Sequence, residues 1–424
     1  MRVLRLGMSG NDVMEVQGVL KKMGYPIDRV TGVFGPQTLR AVIQFQRNFG
    51  LDPDGVIGAN TYRVLEQFLL GYDRYVIQPG DTFYEIARRY YTSVQLIVSA
   101  NPGLNADNLA VGQQIIVPYG FSVVDTNINY TYDVLQRDIQ GLKARYPFLE
   151  TGSIGKSVLG KELSYLRLGT GPNQVFYNGA HHALEWITSP LLMKFAEDFL
   201  RAYAEGRTLG GNYNPAELWE KSSIYIVPMV NPDGVDLVLN GLQQGNPYYQ
   251  ELIRWNNGSK DFSTVWQANI HGVDLNHNYN AAWQLSKEAE AEYGVTGPGP
   301  TRYSGPSPQS EPESRATADF TRNHDFRLVM AYHSQGEVIY WNFMDMAPPE
   351  GKTIGEELSR ISGYTLDLTT GIASYAGYKD WFIQDYRRPG YTIEVGLGKN
   401  PLPISQFDTI YRDNLGMLLY AASV

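Results

Sequence analysis

The stretch Gln174-Val175-Phe176-Tyr177-Asn178-Gly179-Ala180-His181-His182-Ala183-Leu184-Glu185 decides the fold. Val175 to Tyr177 is a short apolar run that ends at a glycine and is followed at once by ionisable side chains. It reads as a buried strand with polar chemistry at its C-terminal end, where ligands gather in open α/β sheets. His182 and Glu185 stand three apart, so a helical turn puts them on one face, where they can grip one ion. Two further runs repeat the pattern. Leu328-Val329-Met330-Ala331-Tyr332 leads into His333-Ser334-Gln335-Gly336. Gly390-Tyr391-Thr392-Ile393-Glu394-Val395 carries an acidic residue where a buried strand ought to be apolar. With Ile224-Tyr225-Ile226-Val227-Pro228 and the helical segment from Ser189 to Tyr203, these runs predict a large α/β domain over residues 125–424.

Composition narrows the chemistry. At about 150 residues per domain, 424 residues suggest roughly three domains. A hydrophobic share of 43% with 19% charged residues excludes a chain disordered throughout. The net charge of −9 argues against a nucleic-acid partner, which would need clustered basic residues. With no cysteine, any metal must be held by His, Asp and Glu, and there are only six histidines. His182, His333 and Glu185 would leave the fourth position of a tetrahedral zinc ion open for water, as in a catalytic site. A carboxylate isolated in a buried strand is costly. Beside such a water, Glu394 gains a reason to be ionised and a task as general base. No uncharged apolar run approaches the roughly 20 residues needed to span a bilayer. Met1 to Gly7 shows no apolar core of a secretory signal.

The N-terminal region has its own organisation. Thr31-Gly32-Val33-Phe34-Gly35-Pro36-Gln37-Thr38 is echoed by Asp54-Gly55-Val56-Ile57-Gly58-Ala59-Asn60-Thr61, each a glycine turn leading into a helix near its threonine. Val13, Val16, Gln17 and Leu20, then Leu39, Val42, Ile43, Phe45 and Gln46, recur at helical spacing and predict a three-helix unit. This pattern resembles the helical peptidoglycan-binding domain, and we place it at residues 1–70. After a linker expected at Gly71-Tyr72-Asp73-Arg74, the strand Tyr75-Val76-Ile77-Gln78 precedes the turn Pro79-Gly80, with Asp81 or Thr82 able to cap a helix. A second helix through Val94-Gln95-Leu96-Ile97, the pair Asn101-Pro102 and the strand Ile115-Ile116-Val117-Pro118 complete a βααβ order. Residues 75–119 resemble a LysM module, which implies glycan contacts at Gly80, Asp81, Thr82, Asn101 and Pro102. Capping and turn formation is the competing use of these residues.

Six motifs in order carry the main resemblance. They are Gly179-Ala180-His181-His182-Ala183-Leu184-Glu185-Trp186, Val230-Asn231-Pro232-Asp233-Gly234, Gly272-Val273-Asp274-Leu275-Asn276-His277-Asn278, Tyr303 through Gly305 to Glu313, His333-Ser334-Gln335 and Thr392-Ile393-Glu394. Residues 125–424 resemble the zinc carboxypeptidase family. The resemblance implies an eight-stranded mixed sheet between helices, with zinc held by His182, Glu185 and His333. It makes Glu394 the base that activates water and then protonates the leaving amine. His181 is expected to be structural, and His271 and His324 to be surface residues.

The departures from the family pattern matter as much. His277 stands where the family has an arginine that clamps the substrate's terminal carboxylate, Leu184 replaces a second arginine, and Gln267 falls near a third that serves the oxyanion. Substrate contacts are therefore expected at Asn276, His277, Gln267 and the family's mobile tyrosine, matched by Tyr375 or Tyr378. Loss of the clamp together with wall-binding modules resembles the bacterial γ-D-glutamyl-L-diamino acid endopeptidases. The implied partner is peptidoglycan and the implied place is the cell wall or the extracellular space, with a spore or cytoplasmic compartment as the alternative. The competing functions are a metallocarboxypeptidase acting on other peptides and a catalytically dead wall-binding protein.

Overall fold

The computed structural model describes residues 2–106 and 108–424, without the side chains of Ile372 and Ser374. By compactness the chain divides into two units. The first runs to Asn129 and includes Asp133–Leu149 and Leu200–Arg207; the second holds Tyr130–Tyr132, Glu150–Phe199 and Thr208–Val424.

In the N-terminal repeat, each turn is built around a glutamine from the preceding helix. Helix α1 (Asn11–Lys22) carries Gln17, α2 (Pro36–Asn48) carries Gln46, and α3 (Ala59–Leu70) closes the group. Buried Gln17 accepts the N–H groups of Thr31 (2.8 Å) and Gly32 (2.9 Å) at Oε1, and its Nε2 donates to Val33 O (2.9 Å) and Thr38 Oγ1 (2.8 Å). Gln46 repeats the clasp on Gly55 N–H (2.8 Å), Val56 O (3.0 Å) and Thr61 Oγ1 (3.1 Å). Thr38 and Thr61 thus receive a glutamine's hydrogen bond in the first turn of their helices, while Gly35 and Gly58 occupy the caps. Val13, Val16, Leu20, Phe34, Val42, Phe45 and Leu65 fill the space between the helices.

No linker separates this module from the next. Gly71 ends α3 in the left-handed region (φ 76°), and strand β1 (Tyr72–Val76) begins at the following residue. It pairs antiparallel with β2 (Gln114–Pro118) from Tyr72↔Pro118 to Val76↔Gln114, so partner strand length, rather than local polarity, sets where β1 starts. Helices α4 (Phe83–Arg89) and α5 (Val94–Ala100) lie between them in sequence, capped by Thr82 (3.1 Å to Glu85 N–H) and Ser93 (3.2 Å to Leu96 N–H).

The second unit is organised by an eight-stranded mixed sheet. Its strands are β3 (Glu150–Lys156), β4 (Glu162–Leu168), β5 (Asn173–Gly179), β6 (Ser222–Val227), β7 (Phe326–His333), β8 (Val338–Tyr340), β9 (Thr365–Asp367) and β10 (Gly390–Glu394), in spatial order β3-β4-β6-β5-β7-β10-β8-β9. The central β6, β5, β7 and β10 run parallel. β6 is buried along its whole length, which accounts for the unbroken apolar character of such runs. Gly179 pairs with Tyr332, and Glu394 with His333. The C-terminal ends of β5, β7 and β10 therefore meet at one edge of the sheet.

Candidate active site

Three chain segments deliver side chains to that edge. After β5 the chain turns through Ala180 (φ 50°) into a 3₁₀ turn, Ala183–Glu185, entered from His182. Thr188 fixes this corner, accepting the Ala180 N–H (2.8 Å) and donating to Glu185 O (2.8 Å). His333 is the last residue of β7, and Glu394 the last of β10. Nδ1 of His182 lies 2.8 Å from Glu185 Oε1, Nδ1 of His333 lies 2.8 Å from Glu185 Oε2, and the two Nδ1 atoms are 3.3 Å apart. One ligand atom from each residue falls within 4.8 Å of the others, the one such group among the described residues.

This donor set fits a zinc ion. Two imidazole nitrogens and a carboxylate converge on one point, a borderline-soft set suited to zinc with room for a fourth ligand. Behind it, His182 Nε2 lies 3.0 Å from Asp274 Oδ1, the outer carboxylate that fixes ring orientation in metal-bound histidines. Asp274 is itself held by the Arg302 N–H (2.8 Å). The charges of Glu185 and Asp274 outweigh burial and hold His182 well above the ordinary imidazole range, so the pocket draws positive charge. Burial and the like charge of Glu185 push Glu394 well above the usual carboxylate range, which a bound cation would reverse. Neutral His181 is buried, with Nε2 3.0 Å from Tyr279 OH.

An open cleft of about 460 Å³ leads to this point, lined by Leu184, Gln267, Ser334, Gln335, Tyr340, Glu394, Lys399 and Asn400 among others. Gln267 is the one expected substrate contact that lines it; its Oε1 accepts from Thr301 Oγ1 (2.6 Å), and its Nε2 has no acceptor among the described residues. The other expected contacts lie outside the residues that line this cleft. Asn276 Oδ1 accepts the Tyr378 N–H (3.0 Å), capping the helix Tyr378–Tyr386 in the role of a structural brace. His277 is buried, its Nδ1 3.5 Å from Ser286 Oγ, and stands outside the cleft lining. Tyr375 packs against the core cluster of Phe176 and Trp381 because the paired bonds of Ala376 with Ala281 and Tyr279 pin the chain there. Tyr378 is wholly buried, its hydroxyl 2.9 Å from Thr321 Oγ1.

Tyr340 also lines the cleft and escaped the sequence reading, since a three-residue strand leaves no pattern. Lys399 also escaped it; the signal was a lysine in the glycine turn five residues past Glu394. His271 and His324 are more than surface residues. His271 bridges Glu311 (2.8 Å) and Tyr248 OH (3.0 Å), and His324 stacks on Phe326.

In the LysM module, three proposed glycan contacts are occupied internally. Asp81 accepts from Tyr75 OH (2.6 Å) and Gln78 N–H (2.8 Å), Thr82 caps α4, and Asn101 ties Ile97 O (2.7 Å) to both polar groups of Ile116 (2.7 and 2.8 Å). Gly80 (φ 86°) and exposed Pro102 form turns.

A strand-end carboxylate beside a His–Glu–His donor set, on this sheet, is the plan of a zinc metallopeptidase. The zinc carboxypeptidase family model matches residues 135–417, more than half of the chain, and the chain belongs to that family. A peptidoglycan binding domain model matches residues 9–65 and a LysM model residues 75–118. A curated relative, the gamma-D-glutamyl-L-diamino acid endopeptidase 1 of Lysinibacillus sphaericus, is 43% identical over 396 residues, covering 81% of this chain and 98% of the relative. The carboxypeptidase B of Rattus norvegicus is 26% identical over 69% of this chain and 70% of its own length. Among solved structures, thrombin activatable fibrinolysis inhibitor shares the fold at a TM-score of 0.55 and 20% identity, over 70% of this chain and 77% of the other. The protein is a zinc metallopeptidase of that family, with modules that point to association with the cell wall.

Proposed function

We propose that the enzyme cleaves the amide between γ-D-glutamate and the diamino acid of the peptidoglycan stem peptide, with Glu394 as general base. The observation that carries the catalytic part is the Glu394↔His333 pairing, which sets a cleft-lining carboxylate next to the His182, Glu185, His333 group. The bond assignment is supported by the endopeptidase relative, whose length is almost wholly covered.

Zinc held by His182, Glu185 and His333 supplies Lewis acidity to water and to the scissile carbonyl. Glu394 takes the proton of the attacking water as the carbonyl carbon turns tetrahedral. It returns that proton to the departing amine nitrogen, so the carboxylate ends unchanged. Its register beside His333 gives it the fixed position this shuttle needs. Gln267 offers an amide N–H to substrate oxygen from the cleft wall, and Asp274 holds the His182 ring in place. The N-terminal modules keep the enzyme on its polymer.

Glu394→Gln keeps the shape and removes the base. Turnover of purified muropeptides should fall by about 10²–10⁴-fold while zinc content stays stoichiometric. Turnover close to wild type would remove Glu394 from this role.

A further inference from the structure

A γ-linked glutamyl residue keeps its α-carboxylate free, and a diamino acid brings a carboxylate on the other side of the scissile bond. Resting on the function proposed above, the cleft must therefore accept an anion beside the carboxylate of Glu394. Like charges in a cleft repel, and a cation on the cleft wall beyond the metal group would offset that repulsion for the incoming group.

Lys399 is the one lysine or arginine lining the cleft; Thr264, Gln267, Ser334, Gln335, Tyr340 and Asn400 are neutral. Its ammonium is exposed and has no ion-pair partner among the described residues. The backbone on either side of it is tightly held. Gly398 N–H donates to Gln335 Oε1 (3.3 Å), and Gln406 clasps both backbone groups of Leu397 (3.1 and 2.7 Å). Asn400 donates to Ser334 O (2.5 Å), accepts from Ser334 Oγ (2.7 Å) and reaches Glu185 Oε1 (3.4 Å). These bonds tie the loop after β10 to the loop after β7 and to a member of the metal group. A free charge on a braced stem at the cleft wall is prepared for an anionic ligand before that ligand arrives.

We propose that Lys399 is the specificity-determining residue that binds a substrate carboxylate flanking the scissile bond, either the α-carboxylate of the γ-linked glutamate or a carboxylate of the diamino acid. His277, buried outside the cleft lining, leaves this task open.

The test uses the full-length zinc enzyme and three peptides: L-alanyl-γ-D-glutamyl-diaminopimelate, the same peptide with the glutamate α-carboxylate as its amide, and one with the diaminopimelate carboxylates amidated. Wild type should prefer the unmodified peptide over one of the amides by roughly five- to tenfold in kcat/KM, and that amide identifies the carboxylate bound. Lys399→Met should lower kcat/KM on the unmodified peptide by a similar factor, chiefly through KM, and bring that preference near unity. Lys399→Arg should retain it. A Lys399→Met enzyme that keeps the wild-type preference, or that loses kcat equally on all three peptides, overturns the proposal alone. A wild-type enzyme that cleaves none of the three overturns the underlying function and the proposal together.

Discussion

At the scale of single residues, the site is a set of polar groups placed where apolar strands end, and that contrast is why the sequence revealed them. His182, His333 and Glu394 each follow or close a run of buried side chains, so their polarity there needed a chemical reason. Gln267, Tyr340 and Lys399 come from loops and a three-residue strand, where polar residues are ordinary, and only Gln267 was reached, through its place in a family motif. Asn101, Asp81 and Thr82 are of residue types that suit both glycan contact and capping or turns, and their side chains make internal hydrogen bonds of the second kind. Asp274 Oδ1 lies 3.0 Å from His182 Nε2 and through that ring would act on a bound zinc. Asp274→Ala should weaken zinc affinity by about 10–100-fold in chelator competition, with Glu394 still in place. Affinity unchanged by that substitution would leave the ring held by other contacts.

At the scale of elements, the repeated turns of the first module hang on two glutamines. The echo of glycines and threonines was legible as turn plus helix, but its cause was not, because Gln17 and Gln46 lie on the preceding helices. Gln17→Ala strips hydrogen-bond partners from Gly32 N–H and Val33 O at a buried position and should cost about 2–4 kcal/mol of module stability, read by urea unfolding. A loss under 1 kcal/mol would mean that water replaces the clasp.

The helix Pro312–Arg322 carries a second element-scale consequence. Glu313 in its first turn is pushed up to about 7 by burial, with Asp233 nearby adding to the shift and bonds from Val158 N–H and Asn269 opposing it. Below the ordinary carboxyl value of about 4.5 both folded and unfolded chains hold this proton. Between about 4.5 and 7 the unfolded chain releases it first, so stability falls as pH rises, by about 3 kcal/mol in all, and then levels off. His271, raised by its bond to Glu311, adds to the fall in the same direction. Glu313→Gln should flatten most of the decline in unfolding free energy between pH 5 and 8. An unchanged slope would place the titration elsewhere.

At the scale of the whole molecule, two wall-directed modules and a zinc peptidase share a chain of net charge −9. Attachment to the wall cannot then draw on overall positive charge, and it should rest on hydrogen bonds and apolar contact. Binding to purified sacculi should change less than about twofold between 50 and 500 mM salt, whereas electrostatic attachment would weaken steeply. An eight-stranded mixed sheet between helices was legible through the family resemblance that the ordered motifs carry, while the strand order and the junction at Gly71 were not, since strand pairing settles them. The central claim is a zinc enzyme whose base, Glu394, serves hydrolysis of one particular amide. Mass analysis of the products from L-alanyl-γ-D-glutamyl-diaminopimelyl-D-alanine tests it most directly. The expected products are L-alanyl-D-glutamate and diaminopimelyl-D-alanine, formed by wild type and lost with Glu394→Gln; release of D-alanine alone, or an intact peptide, would contradict it.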